Sequence, residues 1–301
     1  MREKKLNEFQ KTLTVILLPG IFALSILEGV ILSRYRSYDW KGMAVSIVDL
    51  IGRQGILLLF PLSLAAPIFS WAWEHRLTTI SVASWQMFLL LFLGQEFCYY
   101  WLHRSVHRIN WFWTNHSVHH TPNELTLGAA YRTGMFGNLI GATVFFAPLV
   151  WLGFPYESII QVYTINLLYQ VWLHTTWIPK LGWLEYIINT PSAHRVHHAS
   201  NPEYLDKNYG GVLIIFDRLF GTYVEEADDN PCKYGLVKPI TGHNFFEIEF
   251  SRLKKLFQDL LAARSLQTAF AILARPPGWE PPPSQSATIS LKEAQDTSRS
   301  K

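Results

Sequence analysis

The stretch "TNHSVHH", Thr114 to His120, has a near copy in "SAHRVHH", Ser192 to His198. Each sets a histidine pair three residues after a first histidine, in a chain whose apolar residues otherwise run in long blocks. On a helix the positions i, i+3 and i+4 share a face, so each cluster is expected to aim its imidazoles at one spot. A third cluster, "HRSVH", adds His103 and His107, so that eight of the 11 histidines fall into three tight groups. Packed as structural residues, eight rings would leave many buried nitrogens without partners. Metal ions satisfy such nitrogens directly.

The number of ligands constrains the metal. A structural zinc takes four ligands and a catalytic zinc about three, so eight or nine imidazoles exceed what one ion uses and imply two metals. Imidazole suits iron, zinc, copper and nickel alike, which fixes the ligand type better than the element. The Glu and Glu-x-x-His ligands of ferritin-like diiron bundles are absent.

The surroundings of the clusters read as membrane protein. Of 301 residues, 49% are hydrophobic and only 16% charged. The apolar ones form runs at Thr12–Leu32, broken only by Glu28, and at Ile56–Trp73, Val82–Tyr100, Phe136–Phe154 and Ile159–Trp172. A spanning helix needs about 20 such residues. The expected fold is therefore all-α: an integral membrane helical bundle, multi-pass, with a cytosolic helical cap carrying the histidine-rich dimetal site. Met1 to Lys11 is basic and lacks a small-residue cleavage site, which reads as an anchor rather than a signal peptide. The net charge of +3 argues for no anionic partner, because basic residues beside membrane helices serve orientation, and no nucleic acid is expected. Cys98 and Cys232 are unrelated thiols that imply no disulfide framework.

From Thr175 to Val224 the chain turns polar and turn-rich, which fits the cap. From Arg275 it becomes "RPPGWEPPPSQSATIS", and disorder is expected after Pro283. The division expected is residues 1–81 as N-terminal membrane helices, 82–260 as the catalytic domain and 261–301 as a C-terminal segment. The tip at Trp151 to Tyr156 has no Lys or Arg, which suits the non-cytoplasmic side and puts the histidines on the cytoplasmic side. Five full crossings would then leave the basic N-terminus outside, unless one early run is re-entrant.

HxxxH, HxxHH and the second HxxHH, embedded in "YYWLHRSVHRINWFW" and "NTPSAHRVHHASNPEYLDKNYGGVLIIFDRLFGTY", resemble the fatty acid hydroxylase and sterol desaturase superfamily of membrane non-haem diiron oxygenases. The stretch from "INLLYQVWLHT" through "DRLFGTY", with the late "PPGW", is most similar to the branch that includes alkylglycerol monooxygenase and bacterial sterol desaturase-like proteins. The resemblance implies iron ligation by His103, His107, His116, His119, His120, His194, His197 and His198. It adds His174, in "QVWLHTT", at a further ligand position. His75 and His243 match no ligand motif.

Three departures from the family's pattern stand out: Ala193 replaces a neighbouring histidine, Thr126 stands where Asn is common, and Glu96 where Asp often precedes the aromatic pair. Glu96 is expected to accept a ligand N–H. Glu124 and Asp206 are the candidate catalytic carboxylates. Asp206, Asn208 and Tyr209 either orient ligands and line the site or serve as ordinary turn residues. Asp217 and Arg218 are further polar candidates that could equally be a structural ion pair, and the 12 tryptophans read as interfacial belts.

By that resemblance the chain hydroxylates a lipid (fatty acyl, ether lipid or sterol-like) with dioxygen at two irons. Electrons would come from a separate redox donor protein or reductant, since there is no flavin or nicotinamide fingerprint and no cysteine set for an iron–sulfur cluster. Two other readings remain open at this point: a lipid or sterol desaturase on the same scaffold, and a non-catalytic metal-binding membrane protein. Transporters usually place ionisable residues within their spans, whereas these clusters follow span ends.

Overall fold

A computed structural model of the chain describes residues 16–281, and within them every named element is helical. The order is α1 (Leu18–Tyr35), α2 (Trp40–Leu59), α3 (Ala66–Glu74), α4 (Trp85–Arg108), α5 (Asn110–His119), α6 (Gly137–Ile140), α7 (Ala147–Leu152), α8 (Tyr156–Val171), α9 (Pro191–His197), α10 (Ile215–Leu219), α11 (Phe245–Ala262) and α12 (Leu266–Ala274). Short 3-10 turns lie at Leu127–Tyr131, Ala142–Phe146 and Gly182–Tyr186. Isolated bridges at Ile188–Leu213 and Ala199–Tyr234 tie the loops together.

α1 and α2 are long and apolar enough to cross a membrane. The run Ile56–Trp73, expected as one span, is instead two pieces: α2 ends at Leu59 and α3 begins at Ala66. Pro61, between them, has no N–H to donate, and Pro67 sits in the first turn of α3, where a missing N–H costs nothing. The run Phe136–Phe154 likewise divides into α6, a 3-10 turn and α7, with Gly141 and Gly153 in the left-handed region at φ 82° and 116°. At Gly153 a side chain would also collide with the Thr78 carbonyl. Leu77 and Ile80 donate to the carbonyls of Trp151 and Gly153 at 2.8 and 2.9 Å, fixing the approach to α4. The basic stretch Met1 to Lys11 and the tail after Pro283 lie outside the described residues.

The polar side chains of α1 and α2 turn inward. Glu28 Oε2 accepts the Leu127 N–H at 2.7 Å, and Asp49 Oδ2 accepts those of Thr133 and Gly134 at 2.7 and 3.1 Å. Buried backbone donors left unpaired would cost about 1–3 kcal/mol each, so these contacts lock the 127–134 segment against both helices.

The main core forms around α4, where Leu91, Cys98, Leu102 and Val106 recur at helical spacing. They pack on Phe146, Leu149 and Val150 around α7 and on Ile159 and Val162 of α8. At roughly 1.5–3 kcal/mol per buried large side chain, this packing sets α4 and α8 side by side. α11 packs on α5, and Asn110 at the head of α5 donates to the carbonyls of Ile272 and Arg275, both at 3.0 Å, holding α12 beside it. α11 ends at Ala262 and α12 at Ala274, just before the proline-rich stretch that begins at Arg275.

Candidate metal centre

All nine histidines singled out in the sequence converge. His103 and His107 lie in the last turns of α4; His116 and His119 lie on α5, with His120 as its C-cap. His174 follows α8, and His194 and His197 lie on α9, with His198 as its C-cap. Thr190 starts α9 by accepting the Ala193 N–H at 3.3 Å ahead of Pro191. The nine rings form two groups: His103, His107, His116, His120 and His197, and His119, His174, His194 and His198. Within each group one nitrogen per ring lies within 4.8 Å of the others.

The expectation that each HxxHH cluster points at one spot does not hold. In "HSVHH" the i and i+4 rings, His116 and His120, join the five-ring group while the i+3 ring, His119, joins the other. In "HRVHH" the sorting is reversed: His194 and His198 join the four-ring group and His197 the five-ring group. Helix geometry explains the split. Positions i and i+4 lie about 40° apart around the axis, whereas i+3 falls about 60° to the other side of i. Each motif thus straddles both groups. The His120 and His198 rings stack across the divide with centroids 4.4 Å apart.

Backbone carbonyls aim the rings. The Nδ1–H of His103 donates to Tyr209 O (2.8 Å), that of His119 to Arg132 O (2.7 Å), that of His174 to Gln170 O (2.8 Å) and that of His197 to Lys207 O (3.0 Å). Each Nε2 of these four rings is consequently a bare lone pair pointing inward. Two of the carbonyls belong to the loop "LDKNYGG", whose shape is fixed from both sides. Asn208, at φ 54°, donates to Ala193 O and Val224 O and accepts the Val224 N–H at 2.8 Å. Asp217 accepts the N–H groups of Tyr209 and Gly210 and the Thr222 hydroxyl, each at 2.7 Å. At Gly211 a side chain would run into Asn166 and Tyr99.

The chemistry of this donor set fits metal ions. Nε2 nitrogens meet at 3.2 Å (His103 to His116), 3.1 Å (His107 to His116), 3.4 Å (His119 to His174) and 3.2 Å (His174 to His194). Two donors about 2.0–2.2 Å from one metal, in adjacent coordination positions, stand about 3.0–3.4 Å apart. Buried ring nitrogens of His120, His194, His197 and His198 have no protein partner. No carboxylate or thiol belongs to either group. Burial, reinforced for most of them by neighbouring imidazoles, holds all nine well below the usual imidazole range, with His119 pushed down to about 4 and His197 to about 3. The rings are neutral at pH 7, the form that binds metal.

The other sequence candidates are distributed as follows. Glu96, expected to accept a ligand N–H, touches no ring: its Oε2 accepts the backbone N–H groups of Val212 and Leu213 and its Oε1 the Asn166 amide. Asp206 accepts from Arg108 at 2.6 Å and stands 3.8 Å from His107 Nδ1, beyond hydrogen-bonding distance. Glu124 lies 3.5 Å from Arg36, outside both groups, in a separate cavity of about 150 Å³ shared with Tyr38, Thr126 and Arg132. Of the two readings open for Asp217 and Arg218, the ion pair is not formed: Arg218 donates to Glu185 O and stacks on Tyr223, 3.6 Å from the ring centre. His243 pairs with Asp39 and His75 with the Trp71 carbonyl, both away from the rings. Sequence reasoning missed Gln170 and Lys207 and the orienting role of Arg132, because all three act through main-chain carbonyls that no side-chain pattern marks.

A cavity of about 580 Å³ opens beside the five-ring group and includes His107, His120 and His197. Trp113, Leu205, Leu236 and Ile272 supply apolar walls, together with α11 and the stretch from Pro276 to Pro281.

Residues 88–222 match the family model for fatty acid hydroxylase. The chain is 37% identical over 225 residues to the alkylglycerol monooxygenase of Danio rerio, covering 75% of this chain and 49% of that protein. It is 34% identical over 268 residues to that of Xenopus tropicalis (86% and 58%) and 37% identical over 225 residues to that of Homo sapiens (74% and 49%). The chain thus spans about half the length of these curated relatives. No solved structure matches it.

Proposed function

We propose that the chain, whose residues 88–222 match the fatty acid hydroxylase family model, is a membrane-bound oxygenase that hydroxylates a lipid at a pair of irons. The observation that carries this reading is the convergence of nine neutral imidazoles in groups of five and four, several with bare nitrogens facing one another. Two irons held there would supply, when reduced, activation of dioxygen and removal of hydrogen from an unactivated C–H bond.

The residues themselves have separable tasks. The carbonyls of Tyr209, Arg132, Gln170 and Lys207 hold four rings in one tautomer and one orientation, so that the donors are in place before any ion binds. Burial of both groups keeps water away from the reacting atoms. The cavity beside His107, His120 and His197 receives the lipid, with its apolar walls along the chain. Asp206 lines that cavity and is the carboxylate we assign to contact with substrate; to Glu124 we assign the bracing of Arg36 at the end of α1. A separate redox donor supplies electrons.

The apolar helices α1 and α2 support a membrane location. So do the exposed Phe246, Phe257 and Leu261 of α11 and Leu266 and Phe270 of α12, an apolar surface beside the cavity that suits the bilayer interface. We take the metal site to face the cytoplasm, close to reductants.

The test is product analysis. Purified protein loaded with iron, given a reductant and a 1-O-alkylglycerol, should consume oxygen and convert the lipid, and removal of iron should abolish both. Lipid left intact while the protein holds its full metal complement, tried across ether, acyl and sterol substrates, would refute the reading.

A further inference from the structure

On α11, Arg252, Leu256 and Asp259 recur at helical spacing and form one wall of the cavity that also contains His107, His120 and His197. The charges in this cavity are unequally matched. Asp206 is engaged by Arg108, and Asp259 by Lys255 on the next turn of the same helix. Lys238 is exposed at the rim, and Glu280 lies within 4 Å of no cation among the described residues. Arg252 is half-buried, and among the described residues its guanidinium donates to no acceptor and lies within 4 Å of no carboxylate. Burial pushes its pKa below the usual guanidinium value, a sign that the charge is held away from water. A guanidinium so placed is stabilised by an oxyanion, which its planar fork can bind through two parallel hydrogen bonds.

We propose that Arg252 is a substrate-binding residue that receives an anionic group, phosphate or carboxylate, of a lipid whose chain lies in the apolar part of the same cavity. This inference rests on the lipid oxygenase reading for taking the cavity to be the substrate's. It adds a specificity: an acidic lipid is preferred over its neutral alcohol. The anion and the five-ring group share one cavity, so the carbon presented to the metals lies near the head group rather than at the far end of the chain.

Trp113 and Trp279 both line the cavity, so binding is readable as quenching of intrinsic fluorescence, without turnover. The full chain in a neutral detergent would be titrated with a 1-O-alkylglycerol, with its glycerol 3-phosphate ester of equal chain length, with the matching fatty acid and with inorganic phosphate. A charge-assisted pair predicts that the phosphate ester or the fatty acid binds about tenfold or more tightly than the neutral lipid, with the favoured acid identifying the group. Added salt should erode that preference. Arg252→Gln should remove it while leaving the neutral lipid's affinity within about twofold, and Arg252→Lys should keep part of it.

Equal affinity for neutral and acidic lipids in the unsubstituted protein overturns the proposal whether or not a variant folds. So does a preference that survives Arg252→Gln, or inorganic phosphate binding as tightly as the phosphate ester. Conversion of a neutral lipid without any acidic preference would sink this inference and leave the oxygenase reading standing. An acidic preference without oxygen-dependent product would sink the oxygenase reading and leave Arg252 as a residue that binds an acidic lipid, no longer a substrate.

Discussion

His119 and His174 meet Nε2 to Nε2 at 3.4 Å, although the Nδ1–H of each is already donated to a carbonyl, Arg132 O for one and Gln170 O for the other. Neither Nε2 then carries a hydrogen, and two lone pairs oppose each other in a buried place. A cation between them turns a repulsion into two bonds. That one contact separates a metal centre from a hydrogen-bonded histidine cluster, because no choice of tautomer satisfies it while both carbonyl bonds persist.

His174→Ala should lower metal content and abolish oxygen consumption, while His243→Ala should leave both near normal. His243 sits with Asp39 in an exposed pair worth at most about 1 kcal/mol. Metal analysis and an oxygen electrode on the two purified variants read the difference. Equal tolerance of both changes would remove His174 from the site.

Glu96→Ala should cost roughly 3 kcal/mol or more, because it strips the acceptor from two backbone N–H groups and the Asn166 amide, each worth about 1–3 kcal/mol when left unpaired. Thermal unfolding should show the midpoint falling by roughly 5–10 °C. An unchanged midpoint would mean that the 212–213 backbone finds other partners.

Asn208→Ala should release metal from the five-ring group first. The change removes three hydrogen bonds and puts alanine at φ 54°, so the flanking Lys207 and Tyr209 carbonyls lose their aim at His197 and His103. Total metal should fall from about two ions toward one, with helical content preserved. Full retention of both ions would contradict the role given to this loop.

Much of the site was legible because metal ligation needs particular side chains at helical spacing. The three clusters, with His174 added by resemblance, supply every ring found in the two groups. The sorting of each HxxHH motif between groups was not legible, since it depends on where α4, α5, α9 and the end of α8 meet rather than on spacing along one helix. The orienting acceptors were hidden for another reason: Tyr209 was singled out for its side chain, yet its carbonyl is what holds His103. The all-helical class followed from the apolar runs, but equating a run with a helix failed at Ile56–Trp73. Pro61 was the residue to weigh there.

The metal-free protein should lose stability as the pH falls from about 6.5. His119 and His197 titrate near 4 and 3 when folded, principally because they are buried, but near 6.5 when unfolded, so the unfolded chain binds more protons in between. Stability is thus complete above pH 6.5 and declines through the folded values, at roughly 1.4 kcal/mol per pH unit for each ring that charges only on unfolding. Denaturant unfolding of chelator-treated protein at pH 7.5 and 5 checks the sign. Equal midpoints would show that the rings are not neutral and buried together.

The central claim is that the two imidazole groups each hold one metal ion. It is tested most directly by counting metals per chain, by plasma emission spectroscopy against quantitative amino-acid analysis, on protein purified with iron present. The account predicts about two ions per chain, with zinc able to replace iron because imidazole binds it more tightly. A reproducible value of about one, or none, at saturation would contradict it.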